Sequence, residues 1–175
     1  MHLREAQRDM RRSYVNGGVG IFVSGLVWVI AGTVTVYAGL FSGMATLFFG
    51  GMLIHPLSLW LARRVFYRGR ARAPNPMEML ALQSTAFLII GLAIAYLVSA
   101  TYGDWFFAIA LLAVGARYLV FQTVYGMSLF LLLGLVLIMI AAAALWFSMA
   151  PAFVAFAGGA TELLCSAFIL VPAKR

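Results

Sequence analysis

The residues in this chain that could do chemistry are few, and nearly all lie inside apolar stretches. Arg117, Tyr118, Gln122 and Tyr125 fall within AVGARYLVFQTVYG, residues 113–126. At about 100° per residue in a helix, these four share an arc of roughly 140°. A charged residue in a hydrophobic span costs about 2.5–3.5 kcal/mol on insertion scales, so Arg117 needs a partner. Glu162 and His55 are the ionisable candidates, and Gln83 is a polar neighbour. Glu162 sits mid-span, too deep for a short side chain to reach water, so it is expected either to pair with Arg117 or to hold a proton. His55 could relay protons. An Arg117–Glu162–His55 cluster would attract a small anionic or polar solute, or pass protons. Tyr118, Gln122, Gln83, Trp28 and Asn16 complete the candidate ligand-binding set.

Each residue also has an ordinary structural role open to it. Glu162 could lock helix packing, and Arg117 could snorkel to the interface. His55 could satisfy a carbonyl freed by Pro56, and mid-span Trp28 is expected to be core. Ser24, Ser84 and Ser166 are conceivable nucleophiles, but no nucleophile elbow, HExxH helix, paired aspartates or phosphate loop accompanies them. No catalytic residue is assigned, and an enzyme on lipid substrates ranks third among the functions considered. His2 lies on a tail and His55 is alone, so neither a metal nor another cofactor is expected. The single cysteine, Cys165, excludes an intrachain disulfide and any CxxC site.

The elements that must position these residues are membrane helices. The chain is 65% hydrophobic and 10% charged, with a mean hydropathy of +1.03. Soluble domains are about 45–50% apolar and about 25% charged, so lipid must be the solvent for most of this chain. Six apolar spans are predicted, at about 15–37, 44–65, 79–99, 105–123, 127–147 and 152–171. Together they form one all-α transmembrane domain over residues 1–175. The first span opens with Asn16, Gly17, Gly18 and Gly20. Its apolar run of roughly 20 residues exceeds the 7–15 of a secretory signal, so it is read as retained. Gly17, Gly20 and Ser24 allow close helix approach, either within the chain or in a homo-oligomer. Residues 1–14 carry an apolar stripe of Leu3, Ala6, Met10 and Tyr14 among arginines, the pattern of an amphipathic interfacial helix.

The net charge is +7. Apart from Arg117, the lysines and arginines lie in three places: the amino-terminal segment, the stretch from Arg63 into the linker at 66–77, and the carboxyl end. Two spans separate the first two places and four separate the last two, so all three lie on one side. The positive-inside rule makes that side cytoplasmic and places the protein in a cell membrane with both termini inside. Nucleic-acid binding is excluded for want of a basic-aromatic groove. The spans pair into three hairpins. In the second helix of each, a small residue precedes a polar one by four: Gly51 and His55, Ala113 and Arg117, Gly158 and Glu162.

Gly115-Ala116-Arg117-Tyr118-Leu119 with Phe121 and Tyr125-Gly126, the segment LREAQRDMRRSY through SGLVW, and His55-Pro56 together resemble a family of small, uncharacterised bacterial integral membrane proteins. The resemblance implies a six-span fold in a bacterial inner membrane and supplies no chemistry. Relatives often carry His where this chain has Arg117. The residues therefore point first to a small transporter or channel-like protein. The alternative is a non-catalytic accessory protein that binds a lipid or a partner's helix.

Overall fold

The computed structural model describes residues 2–67 and 75–173. Most of the basic linker predicted at 66–77 lies outside the described residues, as do Lys174 and Arg175. Seven α-helices follow one another: α1 (Leu3–Ser13), α2 (Gly18–Ala38), α3 (Leu40–Phe66), α4 (Pro76–Ser99), α5 (Phe106–Tyr125), α6 (Ser128–Trp146) and α7 (Pro151–Ala173). The described residues contain no strand. The six helices after α1 are long and apolar enough to cross a membrane, as the composition requires.

The turns follow from local chemistry. Gly39 adopts φ +87 and folds α3 back on α2. Four residues later Gly43 meets α2 so closely that a Cβ there would lie 3.0 Å from the Ala31 carbonyl oxygen. Asn75 caps α4 by accepting from the Met77 amide at 2.9 Å, and Pro76 follows at the first helical position. Gly126, at φ +62, ends α5.

Two glycine crossings hold the bundle. Gly18, Gly25 and Gly32 recur every seven residues along α2, and each faces α7. A Cβ on Gly25 would lie 3.0 Å from the Gly159 carbonyl oxygen, and one on Gly159 would lie 2.9 Å from that of Gly25. Gly115 of α5 and Gly134 of α6 are related in the same way, at 2.9 and 2.7 Å. Lipid provides no hydrophobic drive between helices, so such backbone approach is a main source of packing energy. The three hairpins exist by connectivity, but the α2–α7 and α5–α6 crossings join helices of different hairpins.

Trp28, Phe107 and Leu111 are buried where α2 and α5 meet, with the Trp28 and Phe107 rings 6.1 Å apart. Trp28 is thus core, while Trp60 and Trp146 are exposed, as interface-belt residues are. The outer helices differ from the inner ones. Only 11% of the apolar window of α3, and the same share of α4, is buried, against 50% for the segment containing α2 and 44% for α7.

α1 is amphipathic, as its stripe predicts, and that stripe docks on protein. Ala6, Met10 and Ser13 are buried, while Arg4, Arg8 and Arg12 stay exposed. The Asn75 side chain donates to the Ala6 carbonyl oxygen at 3.0 Å and to Asp9 at 2.9 Å. Gln7 donates to the Thr123 carbonyl oxygen at 2.8 Å, and Arg11 donates to that of Tyr125. These carbonyls belong to the last turn of α5 and have no intrahelical donor of their own. A helix on the basic side therefore closes the end of α5 and the start of α4. Val15, Asn16 and Gly17 link α1 to α2 with φ of 51°, 55° and 75°. For a β-branched residue such as Val15 this is a strained conformation.

Candidate functional site

The polar arc on α5 divides between two neighbours. Tyr118 turns inward and is buried. Its hydroxyl donates to Oε1 of Glu162 on α7 at 2.8 Å. Glu162 is 0% exposed. Ser24 of α2, also buried, is the third polar group beside this pair. The carboxyl is held at this depth by the small residues around it. Gly158, four residues earlier, packs on Leu111 of α5, and Gly159 packs on Gly25 of α2. Larger side chains at either position would hold α7 away from Tyr118.

Arg117 turns toward α4. Its Nη2 donates to the Thr85 hydroxyl at 3.1 Å, and the guanidinium lies 4.9 Å from the centre of the Phe121 ring. Both contacts offset the cost of a half-buried cation. Arg117 and Glu162 therefore have separate partners and do not form the expected ion pair. Among the described residues, two buried side-chain polar atoms have no hydrogen-bond partner: Glu162 Oε2 and Arg117 Nε.

The stretch leading to the basic side is aromatic rather than wet. Phe130 of α6 stacks on Tyr125 at 4.9 Å and lies 6.2 Å from Tyr118, and Phe121 meets all three rings edge-on. Tyr125 is buried beneath α1, and Gln122 is half-buried at the edge.

The remaining candidates lie apart from this core. His55 and Gln83 are exposed on the outer faces of α3 and α4. Asn16 sits half-buried in the reversal between α1 and α2. The three small-polar pairs occupy three environments. Gly51 has open space around it and His55 faces outward, Ala113 packs on Gly91 of α4, and Gly158 lies in the core. Thr85 is absent from the residues expected from sequence. Its lone hydroxyl in an apolar helix carries no signal until α4 and α5 are paired in register. Among the described residues no group of three His, Cys, Asp or Glu side chains could hold a metal ion.

The sequence profile of the family of unknown function DUF7010 matches residues 3–172. The chain belongs to that family. The match runs from α1 into the last turn of α7. No curated protein and no solved structure matches the chain.

Proposed function

We propose that this DUF7010 member is a non-catalytic membrane protein that binds a lipid or a partner's helix through its outer helices. Its polar core would serve to lock the bundle. One observation carries this reading: α3 and α4 are mostly unburied, and each presents a polar side chain outward within an apolar face. His55 has Met52, Leu53 and Leu57 around it, and Gln83 has Met79, Leu82 and Phe87, all exposed. An imidazole or amide in hydrocarbon is costly and is commonly satisfied across a helix–helix contact. Gly51, one turn from His55 with open space around it, lets another backbone come close. The charge distribution supports a cytoplasmic location for both termini.

A second reading is favoured by the two unpartnered buried atoms, Glu162 Oε2 and Arg117 Nε. In it the protein is a carrier for protons or a small anionic solute, held closed, with Arg117 binding the anion and Glu162 the proton.

Photo-crosslinking in native membranes tests the first reading. A photoreactive residue at Met52 or Phe87 is expected to give one discrete lipid or protein adduct that His55→Leu or Gln83→Leu abolishes. Equal, diffuse crosslinking from Leu132, an exposed residue of α6, would refute it.

A further inference from the structure

An apolar groove of about 300 Å³ opens between α2, α3 and α7 on the basic side of the bundle. It is lined by Val19 and Phe22, by Leu61, Val65 and Phe66, and by Leu170 and Val171. Val19, Leu61, Phe66 and Leu170 of this lining also pack in one cluster with Val15 and Ala62. The volume is at the lower end of ligand pockets, and no polar side chain lines it. An open apolar trough at this depth suits a hydrocarbon chain.

The rim adds charge. Arg63 and Arg64 occupy the last turn of α3 and are exposed. Arg64 stands one turn from Leu61 on the same helix, whereas Arg63, two residues from both Leu61 and Val65, lies on the opposite face of α3. Neither has an acidic partner among the described residues. Arg12, also exposed, lies three residues before Val15 of that cluster. A guanidinium one turn from the wall of an apolar trough, in the last turn of a membrane helix, matches a phosphate joined to an acyl chain.

We propose that this groove binds one anionic phospholipid, with an acyl chain along Phe22, Leu61 and Val65 and its phosphate at Arg64. The proposal rests on the lipid arm of the function above but uses the last turn of α3 rather than the turns around His55. It can therefore fail while crosslinking from Met52 succeeds, and the reverse.

The test is native mass spectrometry of the purified full chain, titrated with dioleoyl phosphatidylglycerol and with dioleoyl phosphatidylcholine. The acyl chains are identical, so only the headgroup differs. One phosphatidylglycerol is expected to bind more tightly than phosphatidylcholine. The variant Arg64→Gln is expected to weaken phosphatidylglycerol roughly fivefold and leave phosphatidylcholine unchanged. Val65→Phe, at a half-exposed position in the groove wall, is expected to weaken both lipids. Equal binding of the two lipids by the unaltered protein would overturn the proposal, as would binding that neither variant changes. The headgroup comparison needs no variant, so a misfolded mutant cannot shield the idea.

Discussion

Tyr118→Phe removes one oxygen atom from a closed core, and its cost can be worked out from the contacts. The lost hydroxyl donates to Glu162 at 2.8 Å, and Oε2 of the same carboxyl is already unpartnered. The substitution leaves a buried carboxyl with no hydrogen bond from α5. Orphaning a buried polar group costs about 1–3 kcal/mol, and bonds between membrane helices reach only about 1.7 kcal/mol in double-mutant cycles. The expected loss is therefore about 1–2 kcal/mol, or roughly 2–8 °C in Tm for a chain of this size. Glu162→Gln should behave differently. Its amide oxygen still accepts from Tyr118, and its NH2 takes the place of an oxygen that had no partner, so the change should stay under about 1 kcal/mol. Tyr118→Phe/Glu162→Leu removes both partners and should recover most of the loss. Cys165 supplies the assay. It is the chain's one thiol, buried in α7, so a thiol-reactive fluorogenic dye reports unfolding in detergent. The reasoning is refuted if Tyr118→Phe is neutral, or if Glu162→Gln is as damaging as Tyr118→Phe. The latter result would mean that the carboxylate charge itself is in use.

Glycine substitutions should change sign with position. Gly25→Ala and Gly134→Ala press a methyl on a facing carbonyl at 3.0 and 2.7 Å and should cost about 1–3 kcal/mol, whereas Gly51→Ala meets nothing and should gain up to about 1 kcal/mol; thermal unfolding of the three variants decides. Arg117→Met exchanges a cation with an unpartnered Nε for an apolar chain of similar reach, and should be neutral or stabilising in the same assay. Asn75→Ala removes two bonds that hold α1, so a cysteine placed at Met10, 2% exposed in the native chain, should label with maleimide at least several-fold faster in that background.

The architecture was legible in the sequence because its physical causes are local. Twenty-residue apolar runs, Gly39 and Gly126 at reversals, and Asn75-Pro76 ahead of α4 act through the chain's own backbone. Mid-span Trp28, read both as core packing and as a candidate ligand contact, is buried against Phe107. The site was less legible because it depends on which helices touch. Arg117 and Tyr118 are adjacent in sequence, yet 100° of helix rotation sends one to Thr85 and the other to Glu162. Pairing Arg117 with Glu162 follows from charge, but the register of α5 against α7 decides otherwise. The spacing of Gly18, Gly25 and Gly32 was a readable signal for the α2–α7 crossing. Of Gly17, Gly20 and Ser24, the close-approach face expected from sequence, only Ser24 lies at that crossing, beside Glu162. A Cβ on Gly20 would have only the Ser58 hydroxyl within 4 Å, at 3.9 Å.

Whether water reaches Glu162 separates a sealed core from a carrier most directly. The measurement is the labelling rate of Ser24→Cys by a membrane-impermeant methanethiosulfonate reagent, in Cys165→Ser protein reconstituted in bilayers and exposed to reagent from each side. A sealed core predicts a rate no faster than that of Ala110→Cys, a residue 0% exposed in the apolar core. Rapid labelling from either side would show an aqueous path to the Tyr118–Glu162 pair and contradict it.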